Sequence, residues 1–522
     1  MEQLWHDLVH RHSRLLLAAI FLIGAAFRLY RLDTFSIWRD EAQTVFLARH
    51  AFPTGIVRAL LRADVSPPLY YFILHFWDQA LRSDWWLRLL SVLFGMAAIP
   101  LLYWVGERLF DRHVALLAAL VGALSPHHIV VSRTVRMYTV LPLTSLLALY
   151  FTYRFATQPT GEEGRFLRDG TWWGIVLSFT LVLYTHNVGA FLVLSANAFM
   201  VGEMVWRKET RKLLWPWIAS QLCVFLLYSP WVPALVQQLR SQGAVMGPWL
   251  PRQSRLSNML RLFNELTGLA WPGGRPWLWV VVCLLGVLTI KIRVPLVAFY
   301  FRLQPALNLI LLGFAGPILF AAVITSSAIG MIPSYVTLVA FPAVCYLIAR
   351  GVQSVRPRPV SLLLLAGLII VWVQTVSVTY VRRTSNLREI ASYVSPRIDE
   401  EDAIVIAPDY LASSFNYYFE GRQAQVAFPS TYDRVEDIIW VGWAESWRNA
   451  AQAIEPTLQH LAGTVPAEGR IWFIAPLEAY PDDPYFSQIR ELKTALDAVY
   501  GSPQVIDTFP PAVEYAAVYV YR

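Results

Sequence analysis

Charge is what this chain has least of. Only 15% of its 522 residues are Asp, Glu, Lys or Arg, against about a quarter in soluble domains. Hydrophobic residues make up 56%, and the mean hydropathy is +0.45. That balance excludes a large soluble enzyme. Cysteine is scarce as well. Cys223, Cys283 and Cys345 all lie inside apolar runs, which excludes a disulfide framework or a cysteine metal site as the organising device and leaves the redox compartment unmarked. Internal repeats and low-complexity linkers are also missing. Aromatics are plentiful instead: 21 Trp and 24 Tyr, side chains that collect at bilayer interfaces. The formal charge of +7 then marks cytoplasmic loops of a polytopic membrane protein, with no nucleic-acid partner implied.

Runs of about 17–25 apolar residues can cross a bilayer as helices. About eleven are found, near 14–30, 86–106, 113–132, 138–156, 171–185, 188–206, 213–230, 276–291, 305–328, 334–350 and 359–379. The first follows a basic N-terminus but is succeeded by Arg28 and Arg31 without a small-residue cleavage site, so it reads as a retained span. The segment "SPPLYYFILHFWDQAL" (66–81) is short, amphipathic and aromatic, which predicts a helix lying at the interface. Loop charge supports that choice. If 66–81 does not cross, the N-terminal "HRHSR" and the basic loops 106–113, 154–169, 206–212, 291–293 and 350–359 share one face, the cytoplasmic one. The loop 31–85 and everything beyond about 380 then fall outside the cell membrane, with the N-terminus inside.

The tail differs in kind. Helical patterns ("NLREIASYVSP", "DPYFSQIRELKTALDAVYG") alternate with short apolar strands ("AIVIA", "IWFIAP", "AAVYVYR"), which predicts a small α/β domain. The expected division is a membrane domain over 1–380 and an extracytoplasmic domain over 381–522, the second dispensable for folding of the first.

Four polar groups collect at the predicted outer ends of helices: Asp40–Glu41; "ADVSPPLYY" (63–71), with Asp64; "VSRTVRMY" (131–138), with Arg133, Arg136 and Tyr138; and "YTHN" (184–187), with His186 and Asn187. Each has a plain reading on its own. An acid caps an interfacial helix, an arginine reaches for lipid headgroups, a histidine fills an interface. Their convergence on one face suits a general base working beside a bound phosphate. The acidic "RIDEEDAI" (397–404) precedes a strand and reads as a solvated turn. No Asp-x-Asp element occurs in the membrane part, so no cofactor is implied, while a divalent metal stays open.

In this order, "WRDEAQTVFLAR", "SPPLYYFILHFW", "WWLRLLSVLFG", "SPHHIVVSRTVRMYTVLPLTSL" and "LYTHNVGAFLVL" resemble the GT-C glycosyltransferases. The likeness is to bacterial relatives of the dolichyl-phosphate-mannose protein mannosyltransferases and of the aminoarabinose transferases that modify lipid A. It covers the first ~200 residues by motif and the rest by architecture. It implies a helical membrane bundle with interfacial helices in the first outer loop. It also implies a polyprenyl-phosphate sugar donor and an acidic catalytic residue in that loop. By this resemblance Asp40 is the base, with Glu41 orienting it or binding a sugar hydroxyl, and an exchange of the two roles stays open. Arg136 and Tyr138 hold the donor phosphate, with Arg133 the second candidate. His186, Asn187, Asp64 and Tyr335 contact substrate. The acceptor is protein, lipid or glycan.

Two departures stand out. Relatives often carry an acid just before the Arg-x-Tyr element, where this chain has Thr134 and Val135. Many also have Arg-Tyr where this chain has Ser334–Tyr335, so a second phosphate-clamping arginine is missing. Arg133, or the basic loop 231–275 (Arg240, Arg252, Arg255, Arg261), is the candidate replacement. Two rival readings are a polytopic transporter and a non-catalytic scaffold that binds polyprenyl lipid. Transporters place ionisable groups near mid-membrane, often within repeats, neither of which is seen here.

Overall fold

The computed structural model describes all residues except 1, 65, 158–165, 238–303 (apart from Leu262), 326–334, 356, 431–446, 448 and 482–485. The predicted span 276–291, Ser334 and the four arginines of the 231–275 loop fall outside the described residues. Contacts divide the chain into two compact units. One comprises 1–30, 88–235 and 252–378; the other comprises 31–87, 236–251 and 379–522.

The first unit is helical. Among the described residues seven helices are long and apolar enough to cross a membrane: Arg11–Leu29, Asp84–Leu109, Asn187–Trp206, Lys208–Gln237, Pro305–Val323, Val336–Ser354 and Arg358–Thr379. An eighth span is formed if Arg112–Leu124 and Pro126–Ser132, bent by 55° at their junction, count as one. Two more predicted spans appear as helices Val140–Thr157 and Gly170–Thr185. Val336–Ser354 is buried along almost its whole length. It packs on Pro305–Thr325, Arg112–Leu124 and Val140–Thr157. Arg358–Thr379 instead turns Leu362, Leu363, Ile370 and Val378 outward, as a lipid-facing helix does.

The bend between Arg112–Leu124 and Pro126–Ser132 has a local cause and a distant remedy. Pro126 has no N–H, so the carbonyl of Gly122, one turn earlier, loses its helical partner. Arg28 of the first helix supplies the replacement. It is fully buried, with Nη2 donating to the Gly122 carbonyl at 3.0 Å and Nη1 to the Ala123 carbonyl at 2.8 Å. Nη2 also meets His128 Nδ1 at 2.9 Å, and Nε reaches Ser132 Oγ at 3.3 Å. The planar guanidinium, with five donors in fixed directions, suits this nest of acceptors.

The second unit joins the first loop to the tail. Residues 31–87 form three short helices, Arg39–Arg49, Thr54–Ala63 and Leu69–Asp78. Ten or eleven residues of helix extend about 15 Å, half a hydrocarbon core. None of the three is long enough to cross, including the one within 66–81.

The tail carries a five-stranded sheet: β1 (Ala403–Ile406), β2 (Ala424–Ala427), β3 (Ile471–Ala475), β4 (Gln504–Ile506) and β5 (Ala517–Tyr521). The order is β2-β1-β3-β5-β4. β1 runs parallel to β2 and β3, and β5 antiparallel to β3 and β4. β1, β3 and β5 are buried throughout. Helices cover both faces, with Phe473, Tyr519, Ile489 and Leu492 in one layer and Trp472, Val518, Ile390 and Phe415 in the other.

The tail does not stand by itself. Arg388 donates to the carbonyls of Asp33 and Phe35 and pairs with Asp84. Tyr418 accepts the Ile37 N–H at 2.7 Å and donates to Asp84 at 2.5 Å. Thr384 donates to the Ser36 carbonyl, and the Ser36 hydroxyl donates to Glu389. The backbone just ahead of Asp40 is therefore held by the C-terminal segment.

Candidate functional site

The predicted site residues fall in both units. In the second, Asp40 and Glu41 occupy the first turn of helix Arg39–Arg49, where the first N–H groups of a helix have no internal partner and acids are favoured. The structure separates the pair. Glu41 is 1% exposed and turns back to accept the Trp38 N–H at 3.4 Å, as the acid of a capping box does. The Asp40 side chain is 19% exposed, with Oδ1 3.5 Å from Arg39 Nε. Of the two, Asp40 is the one whose carboxylate solvent and a ligand can reach.

Arg39 is shared. Its Nε also lies 3.5 Å from Glu514 Oε1. Its N–H, another unpartnered donor of the helix start, points at both Glu514 oxygens at 3.1 and 3.3 Å. Its guanidinium stands 4.6 Å from the centre of the Tyr410 ring. Glu514 is buried, and burial pushes its carboxyl up to about 7, with the Arg39 charge opposing that rise and the Asp40 charge adding to it. Asp64 has a different setting. It is buried at the end of helix Thr54–Ala63 and accepts from the Ser66 N–H at 3.0 Å and the Tyr71 hydroxyl at 2.7 Å. Those bonds give it a turn-forming role ahead of Pro67 and Pro68.

In the first unit, four residues from three sequence motifs come together. Arg136 is buried, with Nε 3.4 Å from the Tyr138 hydroxyl, and its carbonyl accepts from Ser91 at 3.2 Å. Tyr138 stacks on Tyr335, ring centres 5.1 Å apart and 20° between planes. Tyr335 in turn meets the His186 ring at 5.0 Å. His186 Nδ1 accepts the Val188 N–H, which fixes the ring's orientation. Asn187 accepts from the Tyr228 hydroxyl at 3.1 Å. The result is a guanidinium set against an aromatic row.

Arg133 does not join this group. Its Nη1 donates to the carbonyls of Tyr30, Arg28 and Phe27 at 2.5, 3.0 and 3.5 Å. It closes the C-terminal end of the first helix, where carbonyls lack partners and cations are favoured. Its Nη1 is thus engaged by carbonyls at the end of the first helix.

Sequence reasoning passed over Arg39, Tyr228 and Glu514. Glu514 left a signal: it is the lone charge in "FPPAVEYAAVYVY" (509–521). Among the described residues no group of three or more His, Cys, Asp or Glu side chains is arranged to hold a metal ion.

Residues 65–233 match the family model of the dolichyl-phosphate-mannose-protein mannosyltransferases. Among curated proteins none matches. Solved structures share the fold. ArnT from Cupriavidus metallidurans bound to undecaprenyl phosphate aligns with a TM-score of 0.59 at 15% identity, over 97% of each chain. Its apo form gives 0.60 at 15% identity, again over 97% of each. The archaeal oligosaccharyltransferase AglB from Archaeoglobus fulgidus, in complex with an inhibitory peptide and a dolichol-phosphate, aligns with a TM-score of 0.54 at 12% identity. That match covers 96% of this chain and 74% of the other. The chain thus has the GT-C glycosyltransferase fold: a helical membrane bundle with a small C-terminal domain built on a sheet.

Proposed function

We propose that this protein is a membrane glycosyltransferase that moves a sugar from a polyprenyl-phosphate donor to an acceptor hydroxyl on the outer face, with inversion at the anomeric carbon. The observation that carries this reading is the Arg136–Tyr138–Tyr335–His186 group within a fold whose solved examples hold undecaprenyl phosphate and dolichol-phosphate. A guanidinium presents several donors to phosphate oxygens in fixed geometry. An aromatic row beside it offers apolar faces to a sugar ring or a prenyl chain.

The chemistry follows from the leaving group. A lipid phosphate departs readily as an anion, so little proton donation to it is required. The acceptor oxygen attacks the anomeric carbon, the bond from that carbon to the phosphate oxygen breaks, and polyprenyl phosphate leaves with the electron pair. Arg136 and Tyr138 stabilise the charge building on the phosphate. Asp40 takes the acceptor's proton as general base, and its partial exposure supports that role over Glu41. Tyr335, His186 and Asn187 bind donor or acceptor. The proposed setting is the bacterial inner membrane, with the N-terminus cytoplasmic and the tail extracytoplasmic.

The test is transfer by purified protein in lipid nanodiscs from radiolabelled undecaprenyl-phosphate mannose and undecaprenyl-phosphate aminoarabinose. Acceptors are peptide, lipid and glycan fractions of the source membrane. Label passing to one fraction supports the reading and names the acceptor. No transfer from either donor, together with no saturable binding of undecaprenyl phosphate, would refute it.

A further inference from the structure

We propose that Glu514 is a positioning residue for Asp40: a carboxylate from the C-terminal segment that caps helix Arg39–Arg49 and shares the Arg39 guanidinium with the base. The inference rests on the assignment of Asp40 as that base and adds the part played by the tail.

The geometry is specific. Trp38, the residue before the helix, gives no side-chain acceptor, so the first donors of the helix must find acids elsewhere. Glu41 takes the Trp38 N–H. Glu514, 475 residues from Arg39, takes the Arg39 N–H with both oxygens. The neighbouring tail helix, Leu411–Tyr418, completes the clamp. Ser413 donates to the Arg39 carbonyl at 3.4 Å, Ser414 donates to Glu514 at 3.4 Å, and Tyr410 lies under the Arg39 guanidinium. Arg39 is thereby held through its N–H, carbonyl and side chain, and Asp40 is the next residue.

The shared guanidinium links the two acids. Arg39 Nε stands 3.5 Å from each carboxylate. Ionised Glu514 is a charged acceptor for the Arg39 N–H and attracts the guanidinium, which fixes the first turn that carries Asp40. Protonated Glu514 loses that attraction, and its hold on Arg39 loosens. The charged groups facing Glu514 are Arg39 and Asp40, with the Ser414 hydroxyl. Arg383, whose carbonyl accepts the Val513 N–H, pairs with Glu389 at 2.6 Å, and Glu389 also accepts from Ser36. Because burial raises the Glu514 carboxyl to about 7, the clamp tightens as pH rises through neutrality.

Hydrogen–deuterium exchange of the full chain in nanodiscs tests this without a sugar donor. Protection factors, corrected for intrinsic exchange, are read for a peptide covering 36–44 between pH 6 and 8, in wild type, Glu514→Gln and Glu514→Asp. Wild type should gain at least about threefold protection across pH 7. The Gln variant should lose about tenfold at pH 8 and show no pH step. The Asp variant, which keeps the charge but shortens its reach, should keep the step at reduced protection and serves if the Gln variant does not fold. A Gln variant with wild-type protection, or one that loses protection uniformly while keeping the step, overturns the inference. The base assignment is judged separately, by transfer in Asp40→Asn. Normal transfer there removes the base, whereas inactive Asp40→Asn with an unaltered Glu514→Gln removes only this inference.

Discussion

Arg136 and Glu41 show how far single residues can be assigned from their neighbours. Arg136 is buried beside a tyrosine hydroxyl and an aromatic row, a setting that fits an anion. A hydrogen bond between charged groups contributes roughly 1.5–3 kcal/mol, so Arg136→Ala should weaken binding of undecaprenyl phosphate by about ten- to a hundredfold. Equilibrium binding of the fluorescent lipid in nanodiscs measures it, and unchanged affinity would move the phosphate elsewhere. Glu41→Gln should act on the helix more than on the chemistry. It keeps an acceptor for the Trp38 N–H but loses the charge at the helix start, a change of about 0.3–1 kcal/mol. Its thermal unfolding in detergent should fall by no more than a few degrees.

At the scale of elements, the broken helix is the clearest dependence. Arg28→Met removes the donors to the Gly122 and Ala123 carbonyls at the bend, at about 1–3 kcal/mol for each orphaned carbonyl. The variant should insert but melt clearly lower. Arg28→Lys should recover only part of the loss, since one ammonium cannot reproduce the fork. An unchanged melting temperature for Arg28→Met would show that the nest is satisfied another way.

The same scale explains what could be read in the sequence. β1, β3 and β5 were legible because strands buried on both faces are nearly continuous apolar runs. β2 and β4 are the edges of the sheet. They are short, each contains Gln, and β4 is largely exposed, so neither carries a hydrophobic signal. The spans were legible from length and hydropathy, but 113–132 read as one continuous span and the bend at Pro126 appears only in the structure. The partnership of Arg28 with that bend was not visible, because it joins positions about a hundred residues apart. Tyr138, Tyr335 and His186 could be named from motifs, but nothing in their spacing says that the three rings touch.

At the scale of the molecule, the linear division at 380 and the spatial one differ in what they imply for the loop 31–87. The loop belongs with the tail, and Glu514, Tyr418 and Arg388 are the residues that hold it. The separability of the tail expected from its composition therefore applies to the spans more than to the site. A chain truncated after residue 380 should still insert its helices, as protease protection would report. It should lose protection over 33–40 and transfer no sugar. A truncated protein that transfers normally would return the tail to a passive role. Reporter fusions at the C-terminus should be active only in the extracytoplasmic compartment, and a cytoplasmic signal would invert the topology.

The central claim is that Asp40 is the base of a sugar transfer from lipid phosphate. The decisive measurement is the single-turnover rate of label transfer from bound polyprenyl-phosphate sugar in Asp40→Asn, which keeps size and hydrogen bonding but removes the basic group. Losing a general base slows transfer by about a hundredfold or more. The account predicts that loss with donor binding intact, and a much smaller one in Glu41→Gln. Normal transfer by Asp40→Asn would contradict it.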